Sequence, residues 1–98
     1  MTKRSVLIRP LAETDLEDIY SYSHQEFGDV RAVKYIQDLD DAFNKLAENP
    51  NLGGNADFIK KGLLNFQVVS HIVFFRVAES NISIIRVLHK SMDYQRHL

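Results

Sequence analysis

The apolar residues of the chain change period once, and that change limits what it can fold into. Between Pro10 and Pro50 they recur at helical spacing. Ala12, Leu16, Ile19, Tyr20 and Phe27 form one stripe, and Val33, Ile36, Leu39, Phe43, Leu46 and Ala47 form a second. From Leu63 onward the period is two or the run is continuous, in Leu63–Val69, Ile72–Ala78 and Ile82–Leu88, all rich in β-formers. Thr14 and Glu17 have the spacing of a capping box, Gly28 suits a left-handed residue ending the first helix, and Asp29 and Pro50 bracket the second. Two helices joined by about two residues make a helical hairpin. Asn49 to Asn55 is turn chemistry and reads as a loop, Gly62 marks a further break, and Ser5–Arg9 reads as a short strand ended by Pro10. The order β-α-α-β-β-β predicts an α+β two-layer sandwich, with the hairpin packed on one face of an antiparallel sheet.

Length and composition narrow the class. A chain of 98 residues supports one domain, expected to span 1–98. With no Cys there is no disulfide framework, thiolate metal site or thiol nucleophile. No apolar run approaches the ~18–20 residues of a membrane helix, and the N-terminus lacks the apolar stretch of a signal peptide, so a cytoplasmic, non-membrane protein is expected. The net charge of −1 argues against a general polyanion binder, but the charge is unevenly spread. Residues 1–10 carry +3, residues 11–58 carry −8 and residues 59–98 carry +4. Such asymmetry is a feature of partner-binding faces.

The strand pattern also predicts the face turned away from the helices. If Val73, Phe75 and Val77 point to the hairpin, a three-residue turn at 79–81 pairs Phe75 with Ile85 and Val73 with Val87. Ile85 then points inward, and the outer face carries Ile72, Phe74, Arg76, Ile84, Arg86 and Leu88. An exposed face this apolar, with two guanidiniums, reads as a binding surface. The same register sets His71 opposite His89. No phosphate loop, GxSxG, HExxH or calcium-loop string occurs, and no carboxylate shares the segment of the two histidines, so neither a cofactor nor a metal is expected. The C-terminal string holds His89, Lys90, Asp93, Tyr94 and Arg96. Imidazole, phenol and cations are what RNA cleavage would need for proton transfer and phosphate binding, and they are equally what a short surface tail contains.

The element order, the segment Ala12-Glu-Thr-Asp15-Leu16-Glu-Asp-Ile19-Tyr20-Ser-Tyr22, the loop Leu46-Ala47-Glu-Asn-Pro50-Asn-Leu52-Gly53 and the ending Arg86-Val-Leu-His89-Lys-Ser-Met92-Asp93 together resemble ParE-type toxins of the ParE/RelE superfamily. The resemblance spans nearly the whole chain. It implies the toxic component of a bacterial type II toxin–antitoxin system, one that blocks replication by inhibiting DNA gyrase and is neutralised in a hetero-oligomer with its antitoxin. It implies a binding-type poison rather than an enzyme, with no sequence-specific nucleic-acid binding. The alternatives within the superfamily are a RelE-like ribosome-dependent mRNA endonuclease and a non-toxic member. The nuclease pattern is weakened here because Leu63–Val69 has no Arg or Lys, and Tyr94 lies five residues beyond His89. On this reading Ile72, Phe74, Arg76, Ile84, Arg86 and Leu88 are candidates for antitoxin binding. His89, Lys90, Asp93, Tyr94 and Arg96 are candidates for the target-facing, toxic element.

Overall fold

The computed structural model describes residues 3–98. A first strand, β1 (Ser5–Ile8), leads into α1 (Pro10–Phe27) and α2 (Asp29–Glu48), then a 3-10 turn at Pro50–Leu52. Four strands follow, β2 (Gly54–Asn55), β3 (Leu64–Val68), β4 (His71–Val77) and β5 (Asn81–His89), and a final turn of helix, α3 (Tyr94–His97). The sheet order is β1-β5-β4-β3-β2. β3, β4 and β5 form the expected antiparallel meander, but β1 lies parallel to β5 from Ser5↔Asn81 to Ile8↔Ile84, so the sheet is mixed. β2 lies in the stretch read as loop. The chain passes close to the core just before it, where a Cβ on Gly53 would sit 2.4 Å from the Phe75 ring.

The helices follow the apolar stripes, with changes at their ends. α1 begins at Pro10, ahead of the expected capping box. Proline's fixed φ suits the first helical position and its missing N–H leaves nothing unpaired there. Thr14 sits inside the helix and its hydroxyl donates to the Pro10 carbonyl at 3.3 Å. Gly28 holds φ +86° and ψ 174°, a region essentially closed to other residues, and its N–H donates to the His24 carbonyl. That one residue ends α1 and opens α2. Ala12 and Ile19 of α1 and Ala32, Leu39, Phe43 and Leu46 of α2 are buried, whereas Phe27 and Val33 of the expected stripes stay exposed.

The β4–β5 hairpin contains the main departure from expectation. His71↔His89 and Val73↔Val87 pair as anticipated, but Phe75 pairs with Ile84 and Val77 with Ile82, because a register shift falls between Phe74 and Phe75. A tighter turn at Glu79-Ser80 is offset by a β-bulge at Ile85, and the inserted residue reverses which isoleucine faces the helices. Ile84 therefore belongs to the main core with Phe43, Val73, Phe75 and Val87 and is 0% exposed. Ile85 lies on the outer face instead.

That outer face is not an open apolar surface. Phe74 and Leu88 are buried there with Ala56 and Leu63, and Ile59, Ile72, Ile85, Tyr94 and Leu98 pack around them. Two segments supply the cover. The loop after β2 is braced by Asp57, which accepts the Gly62 N–H at 2.7 Å and the Asn55 side-chain amide at 3.0 Å. The C-terminal tail lays Tyr94 on Phe74 with ring centroids 5.2 Å apart. Truncating Ile84 to Ala is expected to cost about 3 kcal/mol in urea unfolding, and truncating Ile85 less than half of that. Equal losses would contradict the bulge.

Candidate functional site

The outer face opens beside the covered patch into a cleft of about 380 Å³. Four segments bring a cation to it: Arg9 from the β1–α1 junction, Lys60 from the loop, Arg76 from β4 and Arg86 from β5. Leu63 and Ile85 contribute apolar wall, and His97 and Leu98 of the tail close one side. Arg76 is steered by its hydrogen bond to the Lys61 carbonyl at 2.9 Å. Among the described residues Arg9, Lys60 and Arg76 form no ion pair. Gathered cations with no Asp or Glu side chain among the described lining residues favour an anionic partner. The sequence pattern pointed to Arg76 and Arg86. It did not reveal Arg9, Lys60 and His97, whose convergence depends on the loop and tail folding over the sheet.

Arg86 is engaged internally. Its Nε and one terminal nitrogen each donate at 2.8 Å to the two oxygens of Asp15, and its other terminal nitrogen donates to the His97 carbonyl at 3.0 Å. The pair is largely shielded, with 11% of the Asp15 side chain and 15% of the Arg86 side chain exposed. Hydrogen bonding to Asp15 raises the Arg86 pKa further above its ordinary value. Asp15 also accepts the Val87 backbone N–H at 2.9 Å. The expected role of Arg86 as a free charge anchor is therefore replaced by a clamp joining α1, β5 and the tail.

The other expected residues separate into distinct settings. Ile84 is in the helix-facing core, and Phe74 and Leu88 are buried under the loop and tail, so none of the three presents the exposed surface the pattern suggested. Ile72 is half-buried at the margin of that cover. Lys90, Asp93 and Arg96 are exposed. Tyr94 donates its phenol hydrogen to the Lys90 carbonyl at 2.6 Å. His89 is two residues beyond Val87 on β5, so it projects toward the helix side of the sheet, where its ring meets His71 edge-on at 5.3 Å. Tyr94 packs on the opposite face, so imidazole and phenol are not brought together.

Both rings of the histidine pair are held by hydrogen bonds. The Tyr35 hydroxyl donates to the Val68 carbonyl at 3.1 Å and lies 2.6 Å from His71 Nδ1. His89 Nδ1 accepts the Ser91 backbone N–H at 3.2 Å. Burial, and then repulsion from His89, lowers the His71 pKa from 6.5 to about 4. The neutral ring favours the fold fully above pH 6.5, and this contribution is lost as pH falls from about 6.5 through about 4, where the folded form also protonates. An NMR titration is expected to place the His71 midpoint near pH 4, with a shallower decline in stability through that window in His71→Gln. A midpoint at 6.5 would contradict this.

Comparison with known proteins agrees with the fold. Residues 6–94 match the family model described as ParE toxin of type II toxin-antitoxin system, parDE. Toxin ParE1 of Mycobacterium tuberculosis is 36% identical over 93 residues, covering 94% of this chain and 95% of the relative. Toxin ParE1 of Caulobacter vibrioides is 38% identical over 87 residues, covering 89% and 90%. Among solved structures, a chain of the chromosomal ParDE system from P. aeruginosa superposes with TM-score 0.77 at 24% identity, covering 89% of this chain and 96% of that one. A chain of the RelBE2 toxin–antitoxin complex from M. tuberculosis follows the same fold at TM-score 0.61 and 18% identity, covering 94% and 97%. The chain belongs to the ParE toxin family of type II toxin–antitoxin systems.

Proposed function

We propose that this chain is a ParE-type toxin that inhibits DNA gyrase by binding and is neutralised by a cognate antitoxin. Family membership carries the toxin reading. The placement of groups on the sheet favours binding over catalysis. Tyr94 is tied to Lys90, Asp15 is spent on Arg86 and Val87, and His89 lies on the other face, while the cleft gathers cations. A strand-cleaving site would need both a proton acceptor and a proton donor beside the bound phosphate, and of the described imidazole, phenol and carboxylate side chains only His97 lines the cleft. The solved ParDE and RelBE2 neighbours are toxin–antitoxin assemblies, which supports a protein antitoxin as partner.

In this reading the antitoxin seats an acidic segment along Lys60, Arg76 and Arg9. The exposed part of the tail, with Lys90, Asp93 and Arg96, faces the target. An acidic, flexible segment fits because ion pairing steers encounter, and covering the apolar rim of the cleft at Leu11 and Leu98 offsets the cost of ordering it. Purified protein added to gyrase is expected to inhibit supercoiling and trap cleaved DNA, while ribosome-bound messenger RNA stays intact. Cleaved messenger RNA with unaffected gyrase would replace this reading by the nuclease one. Arg76→Glu is expected to weaken antitoxin binding at least tenfold and to flatten its salt dependence, measured by calorimetry. Unchanged affinity would remove the cleft from the antitoxin interface.

A further inference from the structure

A second opening, of about 420 Å³, lies at the other end of the molecule, where the tip of the helical hairpin meets the β3–β4 turn. Its walls include Tyr22, Phe27 and Arg31 of the helices, Tyr35 behind them, and Val69 and His71 of the turn. Three observations there bear on what the opening can receive. Tyr22 and Phe27 are each more than half exposed, which leaves uncovered apolar surface on the wall of the opening. Val69 is also mostly exposed and holds φ +51°, the single non-glycine residue with positive φ among those described. A β-branched side chain in that region is strained, and Asn or Gly would fill a two-residue turn at lower cost. Arg31 lies 5.9 Å above the Phe27 ring and has no ion-pair partner among the described residues.

These features sit together, and each has a use if the opening receives a side chain from another protein. Exposed aromatic rings around a guanidinium are the composition of energetically dominant interface centres. Among the described lining residues Arg31 is the one with a permanent charge, beside the imidazoles of His71 and His89, and no carboxylate side chain is present, so the complementary occupant carries a carboxylate next to an apolar anchor. We propose that this opening is a docking site for a segment of a partner protein that inserts one large aromatic side chain among Tyr22, Phe27 and Val69 and pairs a neighbouring carboxylate with Arg31. The site is separate from the basic cleft, sharing no lining residue with it. The valine then trades turn stability for apolar contact, as strained residues at binding sites do.

The test is an ¹⁵N NMR titration of the full chain with acetylated, amidated peptides in which Trp is flanked by Glu, and with matched peptides in which it is flanked by Lys. The Glu peptide is expected to shift Phe27, Arg31, Val69, Ser70 and His71 and to bind at least fivefold more tightly than the Lys peptide. Arg31→Glu, an exposed change, is expected to reverse that order. Val69→Asn is expected to raise the melting temperature while weakening the Glu peptide severalfold. No shifts at these residues, equal affinity for the two peptides, or unchanged binding in Val69→Asn would overturn the proposal. N-acetyl-tryptophan binding as tightly as the peptide would overturn it too, by showing a site for a small aromatic acid.

Discussion

Strand β1 stops at Ile8, but β5 continues to His89, so the edge of β5 beyond Ile84 loses its strand partner. A buried backbone N–H without a partner is costly, and a shielded guanidinium without one costs more. Asp15 meets both needs from the first turns of α1, accepting Val87 N–H with one oxygen and the Arg86 fork with both. One carboxylate thus continues the work of β1 past its end. It also fixes how α1 crosses the sheet and, through the bond from Arg86 to the His97 carbonyl, where the tail lies. The bulge at Ile85 immediately precedes this pair and turns Ile85 and Arg86 toward the outer side, so register, helix placement and tail depend on the same few atoms.

The two faces of the sheet then take different parts. The inner face carries the main core under an acidic helical hairpin. The outer face is closed over Phe74 and Leu88 by a loop and a tail that are short and contribute few buried residues, yet they bring Lys60 and His97 beside Arg76. The uneven charge along the sequence becomes a spatial separation in this way. The helices hold most of the acids, and the cleft collects cations from segments far apart in the chain.

Much of this was legible in the sequence because hydrophobic period is a local signal. The hairpin, the Gly28 junction, the meander and the His71↔His89 pairing all follow from it. Ile84 and Ile85 show where the signal ends. Adjacent, chemically alike residues carry no mark of which one a bulge turns inward, and a tighter turn with a bulge gives the same far-end register as a longer turn without one. Asp15 stands in the family-like segment, but its physical role is not readable there, because its partners lie 71 and 72 residues away. The cleft was half legible. Strand alternation identifies Arg76 and Arg86, but only the folded loop and tail show that Lys60 and Arg9 join them and that Arg86 is already occupied.

The dependence on the Asp15–Arg86 clamp is tested most directly by a double-mutant cycle with Asp15→Ala, Arg86→Ala and both together, read by denaturant unfolding. Removing one partner leaves the other shielded and unpaired, so each single change is expected to cost about 3 kcal/mol. The double change is expected to cost much less than their sum, with a coupling energy of at least about 1.5 kcal/mol. A coupling below about 0.5 kcal/mol would mean that the two side chains act independently, and the account of β5, α1 and the tail as one clamped unit would fail.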